Sequence, residues 1–146
     1  MKLKQLSLFL ENKPGALSAP VKLLADANIN LLTLSIAEAQ QYGILRLIVR
    51  DWQAAKNLLE KNGLLVKVTD VLAIEVPDRP GGLAEVLVVL EEAGINVEYM
   101  YAFTLKRASK GLLLFRFDDP DKAIRALQKK KINIVGNLEL FQRLEG

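Results

Sequence analysis

The chain states one pattern twice, and this repeat constrains the fold more than any other feature. Asn12-Lys13-Pro14-Gly15-Ala16-Leu17 returns as Asp78-Arg79-Pro80-Gly81-Gly82-Leu83, 66 residues later. The offset still holds where Leu24-Ala25-Asp26-Ala27-Asn28-Ile29-Asn30 matches Leu90-Glu91-Glu92-Ala93-Gly94-Ile95-Asn96. A repeat this long divides the 146 residues into two copies of one unit, expected at 1–70 and 71–146. Each copy is near the size at which a lone core is marginal. Val66 to Val76 is nearly continuous β-prone sequence, bent only by Thr69-Asp70, and it leaves no room for a linker. The units are therefore expected to be docked rigidly and not tethered.

Periodicity supplies the elements. Leu6, Leu8 and Leu10 alternate with polar or aromatic neighbours and predict a strand over 3–10. Pro14-Gly15 breaks it. Leu17, Val21, Leu24 and Ile29 follow at helical spacing, with Asn28 as the stop. Leu32, Leu34 and Ile36 predict a second strand, Gln40-Gln41-Tyr42-Gly43 a turn, and Ile44–Val49 a third strand. Asp51 caps a helix that Gly63 ends, and a fourth strand opens at Leu64. The second copy repeats this β-α-β-β-α-β order. It has strands over 72–76, 97–105 and 111–117, helices over 82–93 and from the Asp119-Pro120 cap to about Lys130, and a last strand within 132–141. Gly43 matches Gly111 at an offset of 68, so two extra residues are expected in the second hairpin turn, where insertion is cheap. The fold class is α+β. Two ferredoxin-like units are expected, with antiparallel sheets, helices on one face, and strands 1 and 3 central. The outer second strands are expected to pair side by side into an eight-stranded sheet.

Composition closes off several functions. Apolar residues are 51% and charged residues 25%, as in a folded globular chain. There is no cysteine and no histidine, which excludes disulfides, thiolate metal sites and histidine acid–base chemistry. No phosphate-binding glycine motif and no nucleophile–base pairing is present, so neither a cofactor nor an enzyme activity is expected. The longest apolar runs fall far below the ~18 residues of a membrane span. The N-terminus lacks a signal-peptide core, and a cytoplasmic protein is expected. The net charge is only +3, and the basic run Lys129-Lys130-Lys131 reads as the solvated end of a helix, where cations suit the dipole.

The two loops carry the chemistry. A loop that leaves a strand and enters a helix points backbone N–H groups at its mouth, and these with the helix dipole attract a carboxylate. Gly15, Gly81 and Gly82 let a ligand approach the backbone, and Pro14 and Pro80 stiffen the loops. Asn12 or Asp78 offers an oxygen to an ammonium group. Asn30 and Asn96 stand at the start of the second strands, where they need not face their own loops and can reach a ligand held between two units. Donors for a carboxylate and acceptors for an amine together describe an α-amino acid. Read singly, the same residues are turn formers: Asn12 and Asp78 bonding nearby N–H groups, Pro-Gly making the turn, Asn30 and Asn96 leaving a helix.

With these residues in view, each copy resembles an ACT domain, the small ligand-binding regulatory module of amino-acid metabolism. Asn12-Lys13-Pro14-Gly15-x-Leu17 with Ile29-Asn30 is similar to the regulatory domain of phosphoglycerate dehydrogenases, where two equivalent asparagines hold serine at a domain interface. Asp78-Arg79-Pro80-Gly81-x-Leu83 with Ile95-Asn96 matches the Asp-x-Pro-Gly form of the family. The resemblance covers nearly the whole chain with no catalytic domain attached. It implies a non-catalytic amino-acid sensor whose site is drawn from Asn12, Lys13, Gly15, Ala16, Leu17 and Asn30, and from Asp78, Arg79, Gly81, Gly82, Leu83 and Asn96. The partners it implies are a free amino acid, a second copy in a homodimer, and a metabolic enzyme whose activity is modulated.

Pro20 departs from the repeat, since its counterpart is Val86. Either the first helix starts late with Ser18 as its cap, or its first turn is distorted. Asp78 adds a charge that Asn12 lacks, so unequal sites are expected. The main rival is an interaction subunit of a metabolic enzyme whose loops bind nothing. An RNA binder of the same topology would need the glycine-aromatic pattern on strand 3, which Ile44–Val49 and Leu112–Phe117 lack. Neither nucleic acid nor membrane is expected as a partner. Tyr99 and Tyr101 suit either a pocket or an interface, and Trp52 suits packing on the sheet.

Overall fold

The computed structural model describes residues 1–107 and 110–145. In chain order the elements are β1 (Leu3–Glu11), α1 (Ser18–Asp26), β2 (Thr33–Ala39), β3 (Tyr42–Ile48), α2 (Trp52–Lys61), β4 (Val66–Pro77), α3 (Gly82–Glu92), β5 (Val97–Arg107), β6 (Lys110–Phe117), α4 (Pro120–Lys129), β7 (Ile134–Val135) and α5 (Asn137–Glu145). Two compact units result: an N-terminal one of Lys4–Thr69, and a C-terminal one of Asp70–Gly146 with Met1–Leu3. Both are ferredoxin-like, as the repeat predicts.

In the N-terminal unit β3 pairs antiparallel with β1 and with β2. The register sets Leu6 opposite Leu47, Leu8 opposite Leu45 and Leu10 opposite Gly43, so these side chains share one face. That face packs with Leu24 of α1 and Ala55 and Leu59 of α2 into one buried core. Trp52 lies half-buried against it. Asp51 caps α2, its Oδ1 accepting from Ala54 N at 3.0 Å, and Gly63 follows with φ +81°.

Pro20 causes no break. It sits at the third position of α1, where most N–H groups lack an intrahelical acceptor in any case. The preceding turn is intact, with Ala19 N donating to Gly15 O at 3.2 Å and Ser18 Oγ donating to the same oxygen at 3.1 Å. Leu17, in helical geometry, occupies the cap position, so Ser18 lies inside the helix and not at its cap.

In the C-terminal unit the strand order is β5-β6-β4-β7, with β4 and β6 central. Leu72, Ile74, Val76, Phe115 and Phe117 pack on Val86 and Leu90 of α3 and Ala123 and Leu127 of α4. Two expectations need correction here. The last strand is only two residues long, because Gly136 ends it and α5 takes over; Leu140 N donates to Gly136 O at 2.9 Å, and Leu140 is fully buried. The two extra residues do not lengthen the hairpin turn, whose residues 108 and 109 lie outside the described residues. Phe103 pairs with Leu112 and Arg107 with Lys110, which puts the surplus inside β5.

Helix α5 is anchored by charge. Arg143 Nη2 lies 2.5 Å from Glu75 Oε1 and also bonds Glu139, and Lys110 Nζ lies 3.4 Å from the other Glu75 oxygen. Burial pushes the Glu75 carboxyl up, but the bonds from Asn133, Arg143 and Lys110 outweigh it and hold the group below its ordinary value. The first residues are tied to this unit too, with Lys2 Nζ 3.1 Å from Asp121.

Candidate functional site

The first loop joins β1 to α1 and leans on the β2–β3 turn. Asn12 N donates to Gln41 O at 3.0 Å, and Asn12 Nδ2 donates to Gln40 O at 3.3 Å. Lys13 N donates to Glu11 O and Ala16 N to Lys13 O, closing the loop on itself. Gly15 turns the chain at φ +86°, a left-handed value that glycine adopts without strain. Three of the loop's N–H groups are thus spent internally, while those of Gly15 and Leu17 meet no backbone acceptor among the described residues.

This loop walls a cavity of about 420 Å³, within the usual range for small-ligand pockets. Asn12, Lys13 and Leu17 line one side; Leu10, Ile36 and Gly43 give an apolar floor; Glu11 and Glu38 supply carboxylates. Lys13 Nζ and Glu11 Oε2 pair at 2.7 Å, and their hydrogen bond raises the lysine pKa and lowers that of the glutamate. Glu38 has no ion-pair partner among the described residues, so its carboxylate is available to an ammonium group. The repeat did not mark Glu11, Ile36 or Glu38. The signal that finds Ile36 and Glu38 is strand register: a two-residue turn at Gln40-Gln41 sets Ile36 opposite Leu45 and Glu38 opposite Gly43, on the face that carries Leu10.

The second loop is built alike but closed more tightly. Arg79 N donates to Pro77 O, and Gly82 N to Arg79 O, both at 3.0 Å. Gly81 has φ +87°. A Cβ on Gly82 would stand 2.0 Å from Pro77 O, so this glycine serves the approach of α3 to its own chain. Arg79 is held by Glu85, with Nη2 at 2.8 and 3.0 Å from the two carboxylate oxygens. Leu83 is half-buried against the core of its unit.

Asn30 and Asn96 do not join their own loops. Both are exposed. Asn96 N donates to Asp118 Oδ1 at 3.1 Å, beside the Val97–Phe117 pair, whereas the second loop leaves the sheet at Pro77–Lys110. Those ends lie seven residue steps apart along β6, roughly 23 Å at ~3.3 Å per residue. Asn30 likewise precedes the Thr33–Ile48 pair, at the end of β3 away from Tyr42–Glu11 and the first loop. Tyr99 and Tyr101, half-buried, lie opposite Arg116 and Leu114, on the face of β5 that turns away from the core side chains of β6. Among the described residues no group of three or more His, Cys, Asp or Glu side chains is placed to hold a metal ion, and no helix is long and apolar enough to cross a membrane.

Comparison with known proteins places this geometry. A family model described as an ACT domain pair matches residues 1–144. Protein BT0572 from Bacteroides thetaiotaomicron has a similar structure, with TM-score 0.89 and 42% sequence identity over 97% of both chains. The ligand-free regulatory subunit of aspartate kinase from Thermus thermophilus shares the fold at TM-score 0.62 and 15% identity, over 86% of this chain and 91% of that one. The regulatory subunit of aspartate kinase from Thermus flavus is similar at TM-score 0.61 and 15% identity, over 86% and 90%. No curated protein sequence matches the chain.

Proposed function

Because the chain belongs to the ACT domain pair family, we propose that it is a non-catalytic cytoplasmic regulator that binds a free amino acid and modulates a separate metabolic enzyme or its own assembly. The observation that carries this reading is the first-loop cavity. It brings Glu38, a carboxylate with no ion-pair partner among the described residues, together with Asn12, Lys13 and Leu17 of the loop over an apolar floor of Leu10 and Ile36. The ammonium group goes to Glu38 and Asn12, the carboxylate to the loop N–H groups and Lys13, and an aliphatic side chain to the floor. In the second loop, Asp78, Arg79, Gly81, Gly82 and Leu83 hold the corresponding positions, with weaker binding because Glu85 already engages Arg79. Asn30 or Asn96 completes a site when a second copy of the chain supplies it.

The homodimer this requires has a fitting edge. β2 is the outer strand of the N-terminal unit, and Leu34 and Ile36 on it are 50% and 53% exposed. Two copies joined along β2 would continue one sheet across the pair and satisfy the free edge. The aspartate kinase regulatory subunits that share this fold make an enzyme of amino-acid biosynthesis the partner class of choice.

The test is a thermal-shift screen against the twenty amino acids, followed by calorimetry. One amino acid should raise the melting temperature, by about 2.7 kcal/mol of stabilisation at a hundredfold excess over its Kd. Glu38→Gln and Asn12→Ala should abolish the gain. Absence of any shift at millimolar ligand overturns the sensor reading in favour of the interaction subunit without ligand. That second reading draws support from the internal bonds of both loops, since Asn12 and Arg79 already have partners.

A further inference from the structure

The repeat does not extend to surface charge. Residues 70–146 carry 12 acidic and 11 basic side chains, close to balance. Yet the groove between α3 and α4 is lined by Lys122, Arg125, Lys129 and Lys130 against a single acid, Glu92. Its floor is apolar and half-buried, made by Val89, Ala93 and Ala126, and its volume is about 490 Å³. The four cations have no ion-pair partner among the described residues.

The helix dipole accounts for Lys129 and Lys130, at the C-terminal end of α4. It does not account for Lys122, at the third helical position where a cation is disfavoured, nor for Arg125 in mid-helix. Lys122, Arg125 and Lys129 recur at three- and four-residue spacing and so form one stripe along the groove. The equivalent helix of the N-terminal unit is mixed in sign, with Lys56 and Glu60 paired at 2.5 Å.

We propose that the α3–α4 groove is a docking site for an acidic amphipathic helix of a partner protein. The apolar side of such a helix sits on Val89, Ala93 and Ala126, and its carboxylates meet the cationic rim. Among the described residues that line the groove none is aromatic, so bases find nothing to stack on and the basic stripe does not suit single-stranded RNA. This surface stands on its own charge and shape, whether or not the loops bind an amino acid.

The test uses the full chain and a fluorescent synthetic helix of about 18 residues with leucine on one face and glutamate elsewhere. Its comparators are an all-glutamate peptide, a leucine–lysine helix, an oligouridylate and phosphatidylserine vesicles. The leucine–glutamate helix should bind in an anisotropy assay and weaken as salt rises. The double variant Arg125→Glu/Lys129→Glu, with unchanged circular dichroism, should bind about tenfold less tightly. Lys56→Glu/Lys61→Glu on α2 should bind like the wild type. No binding of the leucine–glutamate helix, or equal binding by the Arg125→Glu/Lys129→Glu variant, overturns the proposal. So does equal binding of the all-glutamate or leucine–lysine peptide, or preference for the oligouridylate or the vesicles.

Discussion

Replacing Gly82 by alanine should be among the most damaging single-methyl changes in the C-terminal unit. A Cβ there stands 2.0 Å from Pro77 O and 3.0 Å from Pro77 C, whereas ordinary contact begins at 3.4 Å. The backbone must therefore open by more than 1 Å. Pro77 cannot swing aside freely, because its oxygen accepts from Arg79 N and the residue pairs with Lys110 on β6. Relief has to come from the first turn of α3, at the expense of the Gly82 N to Arg79 O bond. Overpacking costs about 1–3 kcal/mol and each lost hydrogen bond about 1 kcal/mol. Gly82 is the first residue of α3, and the gain of alanine over glycine belongs to interior helix positions, so little is returned here. The net loss is about 2–4 kcal/mol, which lowers the melting temperature by at least ~8 °C if this unit melts alone and by about half that if the chain melts as one block.

Scanning calorimetry with urea titration measures this change. Gly15→Ala is the internal control. Nothing lies within 4 Å of its Cβ, so only the left-handed backbone, φ +86°, resists alanine, at about 1–2 kcal/mol. Ala16 already holds a methyl at the position equivalent to Gly82. If Gly82→Ala melts within about 2 °C of the wild type, or is milder than Gly15→Ala, the close approach of α3 to Pro77 is wrong.

Pro20→Ala should change stability by less than about 1 kcal/mol, because the helix owes no acceptor at this position and the main change is a freer unfolded chain; stabilisation above ~2 kcal/mol in urea melts would show that the proline strains α1. The Glu75 carboxyl titrates below its ordinary value in the folded chain, so its contribution is present above the usual glutamate pKa near ~4.3 and is lost as pH falls through the lower folded value. Glu75→Gln should accordingly lower the urea midpoint at pH 7 and flatten the decline between about pH 5 and pH 3; parallel wild-type and variant curves would refute the Arg143–Glu75–Lys110 arrangement.

Much of the fold was legible because the repeat and local chemistry agree. The caps at Asp51 and Asp119, the stops at Asn28 and Gly63, and the alternating leucines of β1 each act within a few residues of themselves. What was not legible depends on distant partners. The stretch Ile132-Asn133-Ile134-Val135 is strongly β-prone and drew the following residues into a strand, although Gly136 interrupts it and Arg143 is needed by Glu75, far back in the chain. Cheap insertion in turns predicts the surplus residues of the second copy there, whereas the pairing of Phe103 with Leu112 and of Arg107 with Lys110 puts them inside β5. At the candidate site the loops were visible from sequence, but Glu38 was not, since its place in the cavity follows only from the β2–β3 register. Gly82 in the sequence predicts room for a ligand, but that space is filled by Pro77.

The separation of each loop from its own downstream asparagine, about 23 Å in the C-terminal unit, has a genetic consequence under the shared-site reading. Two chains that lend each other opposite ends make defects exchangeable. One chain damaged in its loop and another damaged in its asparagine are each inert with their own kind. Mixed together, they rebuild one whole site per heterodimer, from the undamaged end of each. The response then tracks who is paired with whom as well as how much ligand is present, and a loop allele and an asparagine allele placed in one cell would complement each other.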